Sequence, residues 1–360
     1  MDFAASEPFT LGVEEEMLLA DPRDGSLLNA SKQVVDNLPE LDRGEVQPEV
    51  HACQVELITD VCVNAAEAGE VLGGLRSAVL ETGVGLIGSG THPTAEEGEA
   101  EITDKKRYKL IGHLLGDAGA TPVSAIHVHV GMPDADTAIR VFNGLRRHLP
   151  LLEALGANSP YRHGRDTGLA SAREITLRAW PRSSAPREMR DYEDFCESTA
   201  RLTSVADVPD YTFHWWKMRP HPRLGTVEIR ALDVQASPAH TASLVAAVHA
   251  LARHEAESDP VPGPAPEILE EASFRAARGG IDATLPDTHG RLRPVRELLG
   301  EVLELARPHA RELDSAEQLE GLEDLVAEGG GAGIQRAAHR DGDMEPVLAT
   351  LMERAASGAG

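Results

Sequence analysis

The chain is poor in the residues that staple small secreted domains or mark the familiar nucleotide folds. Its three cysteines, Cys53, Cys62 and Cys196, stand without a CxxC pair in 360 residues. That pattern fits neither a zinc ribbon nor a secreted disulfide framework, so they are expected as reduced thiols packed like small apolar groups. No apolar run reaches the roughly 20 residues that cross a bilayer. Met1 to Pro8 lacks both the basic and the apolar region of a secretory leader, which leads to an expectation of a cytoplasmic protein without a membrane partner. Basic residues are scarce as well. Against 59 Asp and Glu stand 34 Lys and Arg, a formal charge of -25 that argues against nucleic acid as a partner. GxxxxGK[ST] is missing, as is a GxGxxG after a strand, so neither a P-loop nor a Rossmann site is supported. Aromatics make up only 4% of the chain, and Trp180, Trp215 and Trp216 read either as pocket walls or as core anchors.

What is present is a series of strands that mix charge with apolar residues. Such strands are expected at 10–20, 46–59, 83–89, 124–132 and 224–234. Purely parallel sheets carry continuous apolar runs instead, so the mixture favours an antiparallel sheet. Helices are expected at 64–81, 134–149, 187–206, 239–257 and 293–306, with Asp134 or Asp136 as a cap and Ile139, Phe142, Leu145 and Leu149 as one core face. Breaks fall at Asp259 to Pro266 and at Gly329 to Gly333. The expected organisation is α+β, a single catalytic domain over 1–360, with a sheet-forming core at about 9–240 and a mostly helical part at 241–360.

Side chains alternate across a strand, and this sorts the charged residues by face. In LGVEEEML, Glu14 and Glu16 share a face while Glu15 joins Val13 and Met17 as either a buried paired acid or a rim residue. In QVELIT, Glu56 sits in an apolar run and needs a partner, either an arginine or a metal. In AIHVHVGM, His127 and His129 share a face, as do Glu228 and Arg230 in TVEIRALD. Carboxylates a strand repeat apart can hold a hard divalent cation, and a guanidinium can hold a phosphate. Alone, Glu228 with Arg230 reads first as a wet strand face, Glu14 with Glu16 equally well as a wet face or a metal site, and the histidine pair inside an apolar strand tilts towards function. The arginine-rich cluster from Arg162 to Arg190 adds a loop suited to an anion, which an acidic protein must attract with local positive charge. A zinc hydrolase built on His127, His129 and a third ligand such as Glu56, His92 or His113 is the alternative chemistry.

Taken in order, GVEEE at 12–16, QVELIT at 54–59, HVHVG at 127–131, the NSPxxxGRDTGLxSxR segment at 158–173 and RPHPRLGTVEIRALD at 219–233 resemble the carboxylate-amine ligase family, relatives of glutamate-cysteine ligase. GTHP at 90–93 and GIDATLPD at 280–287 are also similar. The resemblance implies a glutamine-synthetase-like catalytic fold, in which an antiparallel sheet forms a funnel with helices outside. It implies ATP and Mg²⁺ (or Mn²⁺) as cofactors, and glutamate and an amine, by default cysteine, as substrates. Glu14, Glu16, Glu56, His127 and Glu228 would then be metal ligands, His129 and Arg165 substrate contacts, and Arg230 and Arg173 the holders of the transferring phosphate. A homo-oligomer is compatible with this fold, and a non-catalytic ATP or amino-acid sensor is a further alternative. Glu228→Gln is expected to remove a ligand and leave the fold largely intact.

Overall fold

The computed structural model describes residues 1–287, 289–340 and 342–357. Its strands are β1 (Leu11–Ala20), β2 (Glu45–Pro48), β3 (Gln54–Ile58), β4 (Gly85–Ile87), β5 (Ala125–Gly131), β6 (Tyr161–Arg162), β7 (Arg165–Asp166), β8 (Met218–His221), β9 (Thr226–Asp233), β10 (Thr284–Pro286) and β11 (Leu292–Pro294). Seven of them form one sheet in the order β2-β3-β1-β5-β9-β8, with β4 also paired to β1. Every pairing in it is antiparallel. The mixed strand composition has its physical reason in this arrangement: one face packs on helices and the other carries the charged residues.

The apolar face meets the helix Pro238–Glu257, which is buried on almost every side, together with Ala65–Glu81 and Ala135–Leu145. Two caps start the flanking helices. Asn64 accepts from the Glu67 N–H and Asp134 from the Thr137 N–H, each satisfying a donor that a helix start leaves free. Val13 and Met17 of β1, Val128 of β5 and Ile229 of β9 join one core with Leu72, Phe142 and Leu244 from these helices. Glu15 also points to this face, and it is a buried paired acid. Arg76 donates to it through Nε at 2.9 Å and Nη2 at 2.6 Å, and Thr241 adds a hydroxyl at 2.6 Å.

Four expected elements change in the structure. The run 46–59 is two strands joined by a turn at 49–53, so β2 and β3 lie side by side with Gln47 opposite Glu56. The helix at 134–149 stops at Leu145 and restarts at Leu149, because Pro150 cannot donate to a continuing helix and its ring would crowd the preceding turn. The helix expected from Arg187 begins at Tyr192, where Asp191 accepts from the Asp194 N–H. At Gly329 to Gly333 the helical course resumes at Gly330. There a Cβ on Gly331 would lie 2.4 Å from Asn158 Oδ1, so only glycine lets this helix approach. Strand β8 was not expected at all. It is an edge strand containing Pro220, tolerated at an edge because one side of its ladder is unpaired. Gly225 closes the β8–β9 turn with φ +64°, in contact with the Ala4 carbonyl.

Candidate active site

The polar face of the sheet and the segments above it enclose a cavity of about 270 Å³. Register decides what meets there. Glu14 pairs with His127 and Gly12 with His129 across β1–β5, Glu16 with Glu56 across β1–β3, and His129 with Glu228 across β5–β9. Four strands therefore turn their charged positions to one face, where Glu14, Glu16, Glu56, His127 and Arg230 line the cavity, while His129 and Glu228 are not among its lining residues and join the site through Glu14. A register irregularity between β5 and β9 sharpens this arrangement, since Ile126 pairs with Leu232 but Val128 with Ile229. The extra residue on β9 lets Ile229 and Leu232, three apart, both join the core. Beyond it Asp233 is engaged by Ser159 at 2.6 Å, Ser171 at 2.9 Å and the Asn158 N–H at 2.9 Å.

Two groups of side chains could each hold a cation. Glu14, His129 and Glu228 form one, Glu14, Glu56 and His127 the other, and within each the ligand atoms lie within 4.8 Å of one another. Glu14 belongs to both, so its carboxylate could contribute to either. Glu14 Oε2 accepts from His127 Nδ1 at 2.8 Å, and its Oε1 lies 3.5 Å from His129 Nε2. Glu16 accepts from the Ala125 N–H at 2.8 Å and lies 3.5 Å from His127 Nε2.

Charge in this space is strongly perturbed. Burial pushes the Glu16 carboxyl up to about 8, with help from neighbouring Glu49. Burial and the charges of Glu14, Glu49 and Glu16 hold Glu56 far above the usual carboxylate range. At Glu14 burial opposes charge, but the hydrogen bond from His127 and the nearness of His129 outweigh it and pull the carboxyl down. Glu228 is likewise buried, and Arg219 and Arg230 outweigh that burial and hold it well below its ordinary value. Burial and Arg230 push His127 down to about 4, which keeps its imidazole neutral and able to ligate. Burial lowers His129 too, but Glu228 and Glu14 more than offset it and leave it raised. Crowded carboxylates beside a neutral imidazole suit a cation, whose charge would relieve the repulsion among them. The donor set, carboxylate oxygens with imidazole, fits Mg²⁺ or Mn²⁺.

The cationic side chains divide differently from the expectation. Arg230 donates from Nη1 to Glu228 Oε1 and stands 3.4 Å from His127 Nδ1. Arg173 lines the cavity while its Nη1 and Nη2 donate to the carbonyls of Ala231 at 3.2 Å and Arg230 at 2.9 Å. Arg165 lies exposed on the β6–β7 hairpin and is not among the residues lining the cavity, so the structure does not bring it to the site. A surface hairpin bends where its turn dictates, and loop arginines carry no periodicity from which to read direction. His129, expected at a substrate carboxylate, has its Nε2 within reach of Glu14 and Glu228 and so could also hold a cation with them. The two histidines fall into separate ligand groups. His92 bonds the Gly25 carbonyl at 3.0 Å, and His113 is exposed on the helix Lys106–Leu115, so neither completes the zinc alternative among the described residues.

Several lining residues escaped the sequence reading. Arg219 of β8 donates from Nε to Glu228 Oε2 at 2.6 Å, and the Leu224-Gly225 turn before TVEIRALD was the available hairpin signal. Glu49 follows Gln47 at the two-residue period, but the unrecognised turn at 49–53 hid it. Tyr108 donates to it at 3.2 Å. Lys217, buried, donates to Glu153 at 2.7 Å and Glu174 at 2.6 Å. Trp180 and Trp215 line the cavity edge to face at 5.3 Å, whereas Trp216 is buried in the core.

Comparison with known proteins adds an independent line. The sequence profile of glutamate-cysteine ligase family 2 matches residues 10–350. The chain belongs to that family. A Rubrobacter xylanophilus protein named "Putative glutamate–cysteine ligase 2-3" is 38% identical over 98% of this chain and 99% of its own length. The crystal structure of the glutamate–cysteine ligase of Francisella tularensis in complex with AMP matches with TM-score 0.69 at 14% identity, over 100% of this chain and 90% of that one. That of a bifunctional glutathione synthetase from Pasteurella multocida matches with TM-score 0.69 at 16% identity, over 98% of this chain and 52% of the other. The fold of this family 2 member is thus the α+β, glutamine-synthetase-like one of these ligases. Family membership makes it an ATP-dependent ligase forming a carbon–nitrogen bond. No helix among the described residues is long and apolar enough to cross a membrane.

Proposed function

We propose that this ligase joins the γ-carboxylate of L-glutamate to an amine, with L-cysteine the default acceptor, through an acyl phosphate. The observation that carries the reading is the convergence of Glu14, Glu16, Glu56, His127, His129 and Glu228 on one face beside Arg230. These residues would hold Mg²⁺ or Mn²⁺. Bound there, such a cation would neutralise phosphate charge during an in-line transfer.

The chain's own residues then have definite tasks. Arg230 supplies a guanidinium fork toward the migrating phosphoryl group, and Arg173 fixes the β9 carbonyls behind it. The glutamate γ-carboxylate oxygen attacks the terminal phosphorus of ATP, ADP departs, and the acyl phosphate forms. A neutral amine next attacks the acyl carbon, phosphate leaves with the former carboxylate oxygen, and the amine gives up a proton to solvent. Carboxylate oxygen is a poor leaving group and phosphate a good one, so ATP drives an amide that would not otherwise accumulate. No enzyme nucleophile is needed, in keeping with the absence of a Ser/His or Cys/His signature.

Incubation of the pure protein with ATP, Mg²⁺, glutamate and a panel of amines tests the reading. A γ-glutamyl product by mass spectrometry with matching ADP release is expected. If no amine raises ADP release, the assignment of glutamate and amine fails. Glutamate labelled with ¹⁸O in its γ-carboxylate should deliver one label to the released phosphate, and unlabelled phosphate would exclude the acyl phosphate.

A further inference from the structure

Thr226 opens the strand that carries Glu228 and Arg230, and at the two-residue period its side chain faces the same way as theirs. Register sets it beside a histidine: Thr226 pairs with Gly131 and Glu228 with His129. The His129 ring is hydrogen-bonded at one nitrogen and faces carboxylates at the other. Its Nδ1 lies 2.9 Å from Thr226 Oγ1, while its Nε2 lies 3.5 Å from Glu14 Oε1 and 3.8 Å from Glu228 Oε1. Both residues are buried, and Nε2 has no hydrogen-bond partner among the described residues. His221 closes on the ring edge to face at 5.6 Å and is itself backed by Tyr211 at 5.6 Å.

We propose that Thr226 is a positioning residue that fixes the proton of His129 on Nδ1, so that Nε2 offers its lone pair to a cation shared with Glu14 and Glu228. This rests on the metal-dependent ligase reading above. A neutral imidazole has one N–H, and only the other nitrogen can ligate. Two carboxylates facing Nε2 attract a proton to that nitrogen, where it blocks the cation. An acceptor at Nδ1 supplies the opposing pull, and the Thr226 hydroxyl is the acceptor in reach. Outer hydrogen bonds of this kind orient ligating imidazoles and are worth about 10–100-fold in metal affinity.

The test is Mn²⁺ binding without nucleotide, read from the electron paramagnetic resonance of the free ion. Thr226→Val keeps the shape and removes the acceptor, while Thr226→Ser keeps the acceptor. Val should weaken Mn²⁺ binding roughly 10–100-fold, and Ser should restore most of the affinity. In turnover assays the KM for Mg²⁺ of the Val variant should rise by a larger factor than kcat falls. Thr226→Ala carries the same expectation, should Val fail to fold. Wild-type affinity in Val or Ala, or equal losses in Val and Ser, overturns the role of Thr226 and leaves the ligase reading standing. A wild-type protein that binds no Mn²⁺ and makes no γ-glutamyl amide overturns both.

Discussion

Glu228→Gln should damage the fold as well as the reaction. The side chain is 1% exposed and sits between two guanidiniums. Oε2 accepts from Arg219 Nε at 2.6 Å, and Oε1 accepts from Arg230 Nη1 and lies 3.3 Å from Arg219 Nη2. Glutamine keeps the shape but removes the charge, and it turns one acceptor into an NH₂ donor that faces a donor. Leaving a buried charge without its partner costs about 3–5 kcal/mol. Unfolding entropy of about 2.1 cal/mol/K per residue amounts to roughly 0.75 kcal/mol/K for a chain of this size, so Tm should fall by about 4–7 °C. Calorimetry of the metal-free variant measures this directly. Arg219→Met combined with Glu228→Met should lose less than the sum of the two single changes, because the second deletion removes a charge the first has orphaned. A drop of less than about 1 °C for Glu228→Gln, or strict additivity in the pair, would refute the view that this carboxylate compensates the arginines. The burial of Glu228 between two guanidiniums argues against the sequence-based expectation of a fold-neutral ligand deletion, so the activity of the variant has to be compared at matched folded fraction.

Other expectations follow from the same site and its support. Arg230→Lys should lower kcat/KM roughly 10²–10³-fold, since a point charge cannot replace a planar fork on phosphate; near-normal turnover would remove Arg230 from the phosphate. Mg²⁺ affinity should rise as pH rises through about 8, because the cation must displace the proton that burial and Glu49 keep on Glu16 and the one that burial and neighbouring acids keep on Glu56. Titration calorimetry in buffers of different ionisation enthalpy should therefore show proton release near neutrality, and a pH-independent affinity would contradict it. The linked stability has the opposite sign. The raised Glu16 stabilises the metal-free fold fully below pH 4.5, and this contribution is lost as pH rises through about 8, so the Tm of the chelated protein should fall across that window. Arg76→Met should cost about 3–5 kcal/mol by orphaning Glu15 at the centre of the apolar face, which denaturant unfolding reads out; a loss below about 1 kcal/mol would show that Glu15 finds another partner or takes up a proton.

Much of the sheet was legible because its signals are local. The pleat alternates side chains every residue, so the pairs Glu14 and Glu16, His127 and His129, and Glu228 and Arg230 could be placed on common faces from spacing alone. The helix starts at Asn64 and Asp134 were legible for the same reason, since a cap acts within three residues. Where local signals compete, the reading slipped: Pro220 disguised β8, and the apolar positions on either side of 49–53 joined two strands into one.

By itself, the sequence determined the antiparallel character of the sheet, the residue types on its polar face and the family the chain resembles. Tertiary structure alone decided which of those residues meet. Register across β1, β5 and β9 put His129 beside Glu228 and Glu14, and the extra residue on β9 carried Asp233 to its partners beyond the core. It also set Arg219 and Arg230 on the same carboxylate and left Arg165 on an exposed hairpin. The physical reason is range. Strand alternation follows from covalent geometry within a few residues, whereas register, loop course and the charge environment of a buried acid depend on partners as much as a hundred residues or more away in the chain.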